Sequence, residues 1–354
     1  MSLAARLTID LDAIAANWRA LDALSGSGVE TAAVVKADAY GLGAARVGPA
    51  LAAAGARRFF VALPDEGVAL RAHLDAAGHP GLAIHILGGY VAPDREAFET
   101  AALSPVLNST AQLAAWMAGP AGPAALQIDT GMNRLGIEAD ALAALGPLPG
   151  AVRFVMSHLA CADEPAHPQN AAQRTAFETL TAPLARPRSL AATGGTLMGG
   201  AWHYDMTRPG IGLYGGLPFA GARPVVRLEA TVIQTRAVAP GEAVGYGATW
   251  QATRPSRIAT VSTGYADGLI RAAGNGEHAP AHASHRGRLL PYAGRVSMDL
   301  ITLDVTDAPE VVEGTRVDLL GPDITVDRLA DACGTIGYEV LTSLGARYAR
   351  HYRG

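Results

Sequence analysis

An α/β architecture, an N-terminal (β/α)8 TIM barrel followed by a C-terminal mainly-β domain, is what this sequence predicts. Three observations predict it. Short apolar runs, each bounded by glycine, proline or aspartate, recur eight times before about residue 218, with alanine-rich amphipathic stretches between them. Beyond Pro218 the texture changes to alternating β-formers separated by turn residues. The length of 354 residues suits one barrel plus a smaller second core. The predicted division is residues 1–218 and 219–354.

The eight runs are Thr31 to Lys36, Phe59 to Leu63, Ala83 to Leu87, Pro105 to Leu107, Ala125 to Asp129, Val152 to His158, Leu190 to Thr193, and one within Tyr204 to Tyr214. Most are apolar on both faces, as strands of a covered parallel sheet are. Helical pattern occupies Asp10 to Leu24, Ala44 to Ala54, Asp65 to Ala77 and Gln169 to Leu180. Asp65 reads as a helix N-cap following Pro64, and Gly55 and Gly78 read as stops. An open doubly wound sheet is the alternative, but it usually has fewer strands. In the second domain Leu228 to Val238, Arg257 to Ser262, Leu289 to Val296, Leu300 to Val305 and Arg316 to Leu320 read as strands, and Asp327 to Ala332 and Tyr338 to Tyr348 as helices.

Composition excludes several classes. Hydrophobic residues make up 49%, charged residues 17% and aromatic residues 6%. A net charge of −4 gives no basic field for nucleic acid and no polybasic run for anionic lipid. No apolar run reaches the roughly 18 residues of a membrane span. Asp10 and Asp12 fall where a signal peptide needs uncharged apolar residues. Two cysteines, Cys161 and Cys333, make no disulfide framework and no metal-ligand set. A cytoplasmic enzyme is the expectation, with no nucleic-acid or membrane partner.

Chemistry-bearing residues cluster at predicted strand ends. In VVKADAYG, Lys36 closes an apolar strand and enters a glycine loop, which in a barrel puts it at the catalytic mouth. Partial desolvation there lowers an amine's pKa and frees it as a nucleophile toward an aldehyde. A strand-end lysine that snorkels to water is the plain alternative. DTGMNRLG delivers Arg134 through a turn, suited to holding a phenolate or carboxylate or to an ordinary surface ion pair. His158 and Thr193 end the sixth and seventh strands, and TRPGIGLYG places Arg208 beside Gly210 and Ile211. Small and hydroxyl residues there suit phosphate, because close backbone approach exposes amide donors. GYADG and RVSMD put Tyr265 and Met298 in short loops of the second domain. Each motif alone reads as readily as packing or turn chemistry.

As an ordered set these segments, with IGYEVLTSLGARY, resemble the alanine racemases, fold-type III pyridoxal phosphate enzymes, from about Thr8 to Arg350. The resemblance implies a barrel plus β domain, pyridoxal 5'-phosphate as cofactor, alanine as substrate, a homodimer sharing its active sites, and a role in D-alanine supply for peptidoglycan. It makes Lys36 the Schiff-base lysine and Tyr265 the opposing catalytic tyrosine. It assigns phosphate contacts to Tyr40, Thr193, Gly210, Ile211 and Tyr338. Arg134 falls beside the cofactor phenolate, Arg208 at the pyridine nitrogen and His158 against the ring. Met298 matches a residue contributed across the subunit interface, where Tyr265 is supplied too. No metal is implied.

Three positions depart from the family pattern. Gln127 stands where many members carry a carbamylated lysine that braces the arginine matching Arg134, and a direct amide hydrogen bond is the expected substitute. Thr193 replaces a commoner serine, and Ser297 a cysteine found in some members. A broad-specificity amino acid or serine racemase is the nearest alternative. A pyridoxal phosphate carrier resembles the barrel alone. A barrel metalloenzyme has His73, His79 and His85 to offer, in no recognisable ligand spacing.

Overall fold

The computed structural model describes residues 4–274 and 281–354. The chain divides into two compact units, one of Ile14–Leu213 with Leu217–Ala222, the other of Met1–Ala13, Tyr214–Gly216 and Arg223–Gly354.

In the first unit seven parallel strands follow in sequence order: Ala33–Val34, Arg58–Val61, Ala83–Ile86, Ser104–Leu107, Ala124–Gln127, Val152–Met156 and Arg188–Ser189. Met206–Thr207 pairs in parallel with Glu30–Thr31. Backbone bonds from Asp205 N–H to the Arg188 carbonyl (3.0 Å) and from Arg208 N–H to the Ala191 carbonyl (2.8 Å) join the seventh strand to the eighth. The sheet therefore closes into the expected eight-stranded barrel. Its strands are nearly continuous buried apolar residues, such as Phe59, Phe60 and Val61, because the barrel interior and the outer helices cover both faces.

Helices return between the strands at Leu11–Ser25, Ala44–Ala54, Pro64–Ala76 and Pro168–Thr181. Asp65 is not the N-cap. Pro64 is the first helical residue, where its missing N–H costs nothing, and Leu63 is the cap. Glu66, three residues after the cap, receives the cap's own N–H.

The second unit is built on an eight-stranded sheet around the long strand Val226–Val238, which pairs with Ser256–Val261 and Arg316–Leu320. Arg6–Asp10 is a strand of this sheet, antiparallel to residues 226–229 and parallel to Ala349–Arg353. The helix expected over Tyr338 to Tyr348 ends at Thr342. Beyond it the Gly345 N–H is taken by the Asp267 carbonyl (2.8 Å), and the chain leaves as a strand. The strand expected over Leu289 to Val296 is Arg288–Pro291, because its hairpin partner His282–His285 ends opposite Pro291.

Candidate functional site

Lys36 stands just past the strand Ala33–Val34, and it is the sole lysine of the chain; the other 27 of its 28 lysine and arginine residues are arginines. Ala37, Asp38, Ala39 and Tyr40, which follow it, all have φ between 53° and 56°. A left-handed turn of four L-residues costs roughly 1–2 kcal/mol per residue, so the surroundings must hold it. Ala39 N–H donates to the Val35 carbonyl (2.9 Å), and Asp38 Oδ1 accepts from Ala44 N–H (2.7 Å). The turn sends Tyr40 back into the barrel, where it is buried.

Burial lowers the pKa of the half-buried Lys36 amine, the positive charge of Arg134 lowers it further, and the Glu66 carboxylate opposes both. His158 is depressed to about 3 by burial and then by Arg208, Arg134 and Lys36, so its imidazole is neutral. Four of the expected residues are thus gathered in one electrostatic cluster. Arg208 is 4% exposed and donates to Ser189 Oγ and to the Ser157 carbonyl (2.7 Å). Among the described residues no carboxylate pairs with it. Burial pulls it down to about 9, which leaves it cationic at neutral pH.

Arg134 is exposed on a turn organised by Asp129, whose Oδ1 accepts from the N–H groups of Gly131, Met132 and Asn133 at 2.9 to 3.2 Å. Among the described residues no hydrogen bond joins the Gln127 amide to Arg134. Gln127 is buried in its strand, while the arginine reaches solvent.

Thr193, Gly210 and Ile211 meet beside Tyr40. Thr193 Oγ1 accepts from the N–H of Gly210 (3.1 Å) and of Gly212 (3.2 Å). A Cβ on Gly210 would fall on the Tyr40 hydroxyl, so only glycine lets this backbone approach the tyrosine. Small buried residues, a hydroxyl and backbone amides, here bonded to one another, gather at this cluster, and these are the residue types from which phosphate sites are built.

In the second unit Tyr265 and Met298 are neighbours. Tyr265 N–H donates to the Ser297 carbonyl (3.0 Å) and Ala266 N–H to that of Met298 (2.9 Å). A Cβ on Gly264 would strike both carbonyls. Tyr265 is 39% and Met298 54% exposed, and the two lie side by side on adjoining loops. Tyr338 opens the helix Gly337–Thr342 and is half-buried.

Sequence reasoning missed three supporting residues. Gln173, fully buried, donates to the His158 carbonyl (2.9 Å) and accepts from Ala160 N–H (2.8 Å), which fixes the loop after the sixth strand. Ser189 receives Arg208. Glu66 touches the residue after Lys36. Gln173 and Glu66 sit in helical stretches where the only sequence signal, a polar residue at one helical position, is commonplace. His85, offered for a metal, instead stacks on Phe60 (4.9 Å) in the barrel. Among the described residues no group of three histidine, cysteine, aspartate or glutamate side chains could hold a metal ion.

A closed barrel with a desolvated lysine at its mouth, a neutral histidine and a buried arginine that meets no carboxylate among the described residues defines a barrel enzyme of the kind that binds an aldehyde cofactor. The family model "Alanine racemase, N-terminal domain" matches residues 9–218, and "Alanine racemase, C-terminal domain" residues 225–352. The chain belongs to the alanine racemase family. An alanine racemase from Dinoroseobacter shibae is 58% identical over 99% of this chain and 98% of its own length. One from Cereibacter sphaeroides is 54% identical over 98% of each. A crystal structure of alanine racemase from Bartonella henselae with covalently bound pyridoxal phosphate superposes with a TM-score of 0.91 at 36% identity, covering 99% of this chain and 100% of that one. The biosynthetic alanine racemase of Pseudomonas aeruginosa gives 0.91 at 40% identity, covering both chains fully.

Proposed function

We propose that the chain interconverts L- and D-alanine with pyridoxal 5'-phosphate, by a two-base mechanism using Lys36 and Tyr265. The observation that carries the reading is the placement of the only lysine: half-buried at a barrel strand end, with Arg134 and the neutral His158 around it. The residues present fit the cofactor. Lys36 offers an amine whose burial favours its uncharged, nucleophilic form, and the cluster of Tyr40, Thr193, Gly210 and Ile211 is of a chemistry that holds phosphate; Tyr338 is a further phosphate contact by family resemblance. In this reading Arg134 would meet the phenolate oxygen, Arg208 the ring nitrogen and His158 the ring face.

When bound, the cofactor supplies an electron sink that acidifies the amino acid's Cα–H. The protein supplies the proton traffic. Racemisation needs one group to take the proton from one face of Cα and another to return a proton to the opposite face. Lys36 serves one face and Tyr265 the other, exchanging roles with the direction of reaction. Each such group is worth about 10²- to 10⁴-fold. Arg208 would hold the ring nitrogen of the bound cofactor by a hydrogen bond without protonating it, because a guanidinium is a very weak acid. An unprotonated ring would be a weaker electron sink than a protonated one, which favours return of the proton to Cα over decarboxylation.

The working form is a homodimer, with Tyr265 and Met298 supplied by the second protomer. The exposure of these two apolar side chains supports this. The enzyme is cytoplasmic and supplies D-alanine for peptidoglycan; no described helix is long and apolar enough to cross a membrane. Racemisation of each enantiomer, followed by circular dichroism for the parent, Lys36→Ala and Tyr265→Phe, tests the reading, and unchanged turnover in either variant rejects it. Sedimentation of the parent tests the dimer. Alanine preferred over serine by less than about tenfold would favour the broad-specificity alternative.

A further inference from the structure

We infer that Glu66 is a positioning residue for Lys36, its carboxylate clamping the left-handed turn that leads away from the amine. The inference rests on the reading of Lys36 as the cofactor-bearing base. Oε1 of Glu66 accepts from the N–H of Ala37, the residue next to Lys36, at 2.6 Å. Oε2 accepts from Ala62 N–H (2.7 Å) and Leu63 N–H (3.1 Å). The Leu63 bond is what any N3 glutamate makes at the start of its own helix. The other two are not. Ala62 follows the strand Arg58–Val61, and Ala37 lies 29 positions before Glu66 in sequence, so one side chain ties together the ends of the first two barrel strands.

The residue type is decided by valence. Three N–H donors converge on one head group, and an ionised carboxylate has two oxygens with about four acceptor sites to receive them. A glutamine has one acceptor oxygen, and its NH₂ would face donors. Ala37 is also the first residue of the left-handed run, φ 53°, so the bond acts where the chain departs from ordinary geometry. Release of that N–H lets the turn relax toward common backbone angles, and the direction of the Lys36 side chain shifts with it. The carboxylate also stabilises the ammonium form of Lys36 against burial and Arg134, with the neutral His158 completing the surroundings.

The test uses the full-length chain, with Lys36 as its own reporter because no other lysine exists. In cofactor-free protein, the pH dependence of Lys36 acetylation by acetic anhydride is read from the mass of its peptide. For Glu66→Gln and Glu66→Ala the midpoint is expected to move to lower pH, since the negative charge is gone. In the loaded enzyme kcat should fall about 10- to 100-fold with KM for alanine nearly unchanged, and Glu66→Asp should lie between. If the alanine variant does not fold, the glutamine variant, of the same shape, decides. A Lys36 midpoint in Glu66→Gln that coincides with the parent overturns the inference, as does kcat within about twofold of the parent. A lower melting temperature with an unmoved Lys36 titration also overturns it, because that is the signature of a helix cap alone. If the parent itself racemises nothing, the functional reading fails, while the labelling comparison still decides what Glu66 does to the lysine.

Discussion

Arg347 Nε lies 3.1 Å from Asp267 Oδ1, and the same guanidinium reaches Asp299 Oδ1 at 2.8 Å. Asp267 is two residues past Tyr265, and its other oxygen accepts the Gly264 N–H at 2.9 Å. Asp299 follows Met298. One arginine therefore bridges the two loops that present the exposed tyrosine and methionine, in parallel with the backbone bonds between them. Such a bridge contributes little to folding because its arginine is half-exposed. Its expected effect is instead on how the Tyr265 loop, and with it the phenol, is held.

Arg347→Ala is accordingly expected to lower kcat on the order of tenfold in both directions, since loss of orientation acts on the reacting geometry. The melting temperature should stay close to that of the parent. Arg347→Lys, which cannot reach both carboxylates with a planar fork, should recover only part of the loss. Steady-state kinetics beside a thermal melt check this, and parental kcat in the alanine variant defeats it.

Gly210 and Tyr40 make a second testable pair. Gly210→Ala drives a methyl into the tyrosine hydroxyl, and overpacking of this kind costs about 1–3 kcal/mol. Removing the hydroxyl makes room. The Tyr40→Phe/Gly210→Ala double variant should then be more stable than the sum of the single effects predicts, by about 0.5 kcal/mol or more. Urea unfolding of the four members of the cycle measures the coupling; simple additivity would show that the backbone yields instead.

Much of this arrangement was legible in the sequence, for a physical reason. Barrel strands are buried on both faces, so each appears as a short apolar run, and Lys36 and His158 follow the ends of such runs; the run Leu190 to Thr193 lies instead past the seventh strand, Arg188–Ser189, and Thr193 opens the helix Thr193–Leu197. Two kinds of information were not local. The strand Arg6–Asp10 finds its partners at residues 226–229 and 349–353, more than two hundred positions away, and its five residues merge into the helix that follows. Glu66 belongs to a helical first turn by its pattern, and only the fold brings Ala37 to it. Gln127 illustrates a third case. A departure from the family pattern was visible, but the bond expected to replace the missing group depended on where Arg134 points, which the spacing of residues does not encode.

Acid stability should report two buried imidazoles. His85 and His158 are both depressed to about 3, His85 by burial and then by the charge of Arg58, whose Nη1 stands 2.8 Å from its Nε2. Since Arg58 is the donor there, Nε2 accepts and the proton resides on Nδ1, which has no partner among the described residues. The unfolded chain binds protons near pH 6.5 and the folded one does not. Stability from each neutral imidazole is therefore fully present above about pH 6.5 and is lost as pH falls from there toward 3, by up to about 1.4 kcal/mol per pH unit per residue. His85→Gln keeps an acceptor for Arg58 and cannot titrate, so its unfolding free energy should fall less steeply between pH 6 and 4, by roughly one proton's slope. Denaturant midpoints at several pH values check this, and parallel curves for variant and parent would refute it.

The sharpest separation of stability from activity is expected at Arg208. The folded protein holds this guanidinium 4% exposed, against two serine oxygens and, among the described residues, no carboxylate. Desolvating a cation without a counter-charge opposes folding. Its depressed pKa says the same: at any pH below about 9 it is charged in both states, so the unfavourable transfer is present throughout the physiological range. Arg208→Met fills similar space without charge. The hydrogen bonds to Ser189 and Ser157 are lost, at about 1–3 kcal/mol if those oxygens find no water, and relief of the buried charge acts in the opposite direction. The cofactor-free variant should therefore melt at or above the parent's temperature while racemisation falls by at least about 100-fold, because the fixed positive charge acts only in the reaction. Binding partners that favour the cation, the cofactor above all, should narrow or reverse the stability difference when added, since they bind only the folded form. Thermal melts with and without pyridoxal phosphate, alongside turnover, settle the matter. A cofactor-free variant that melts well below the parent would mean that Arg208 is held there for the fold and not for the chemistry.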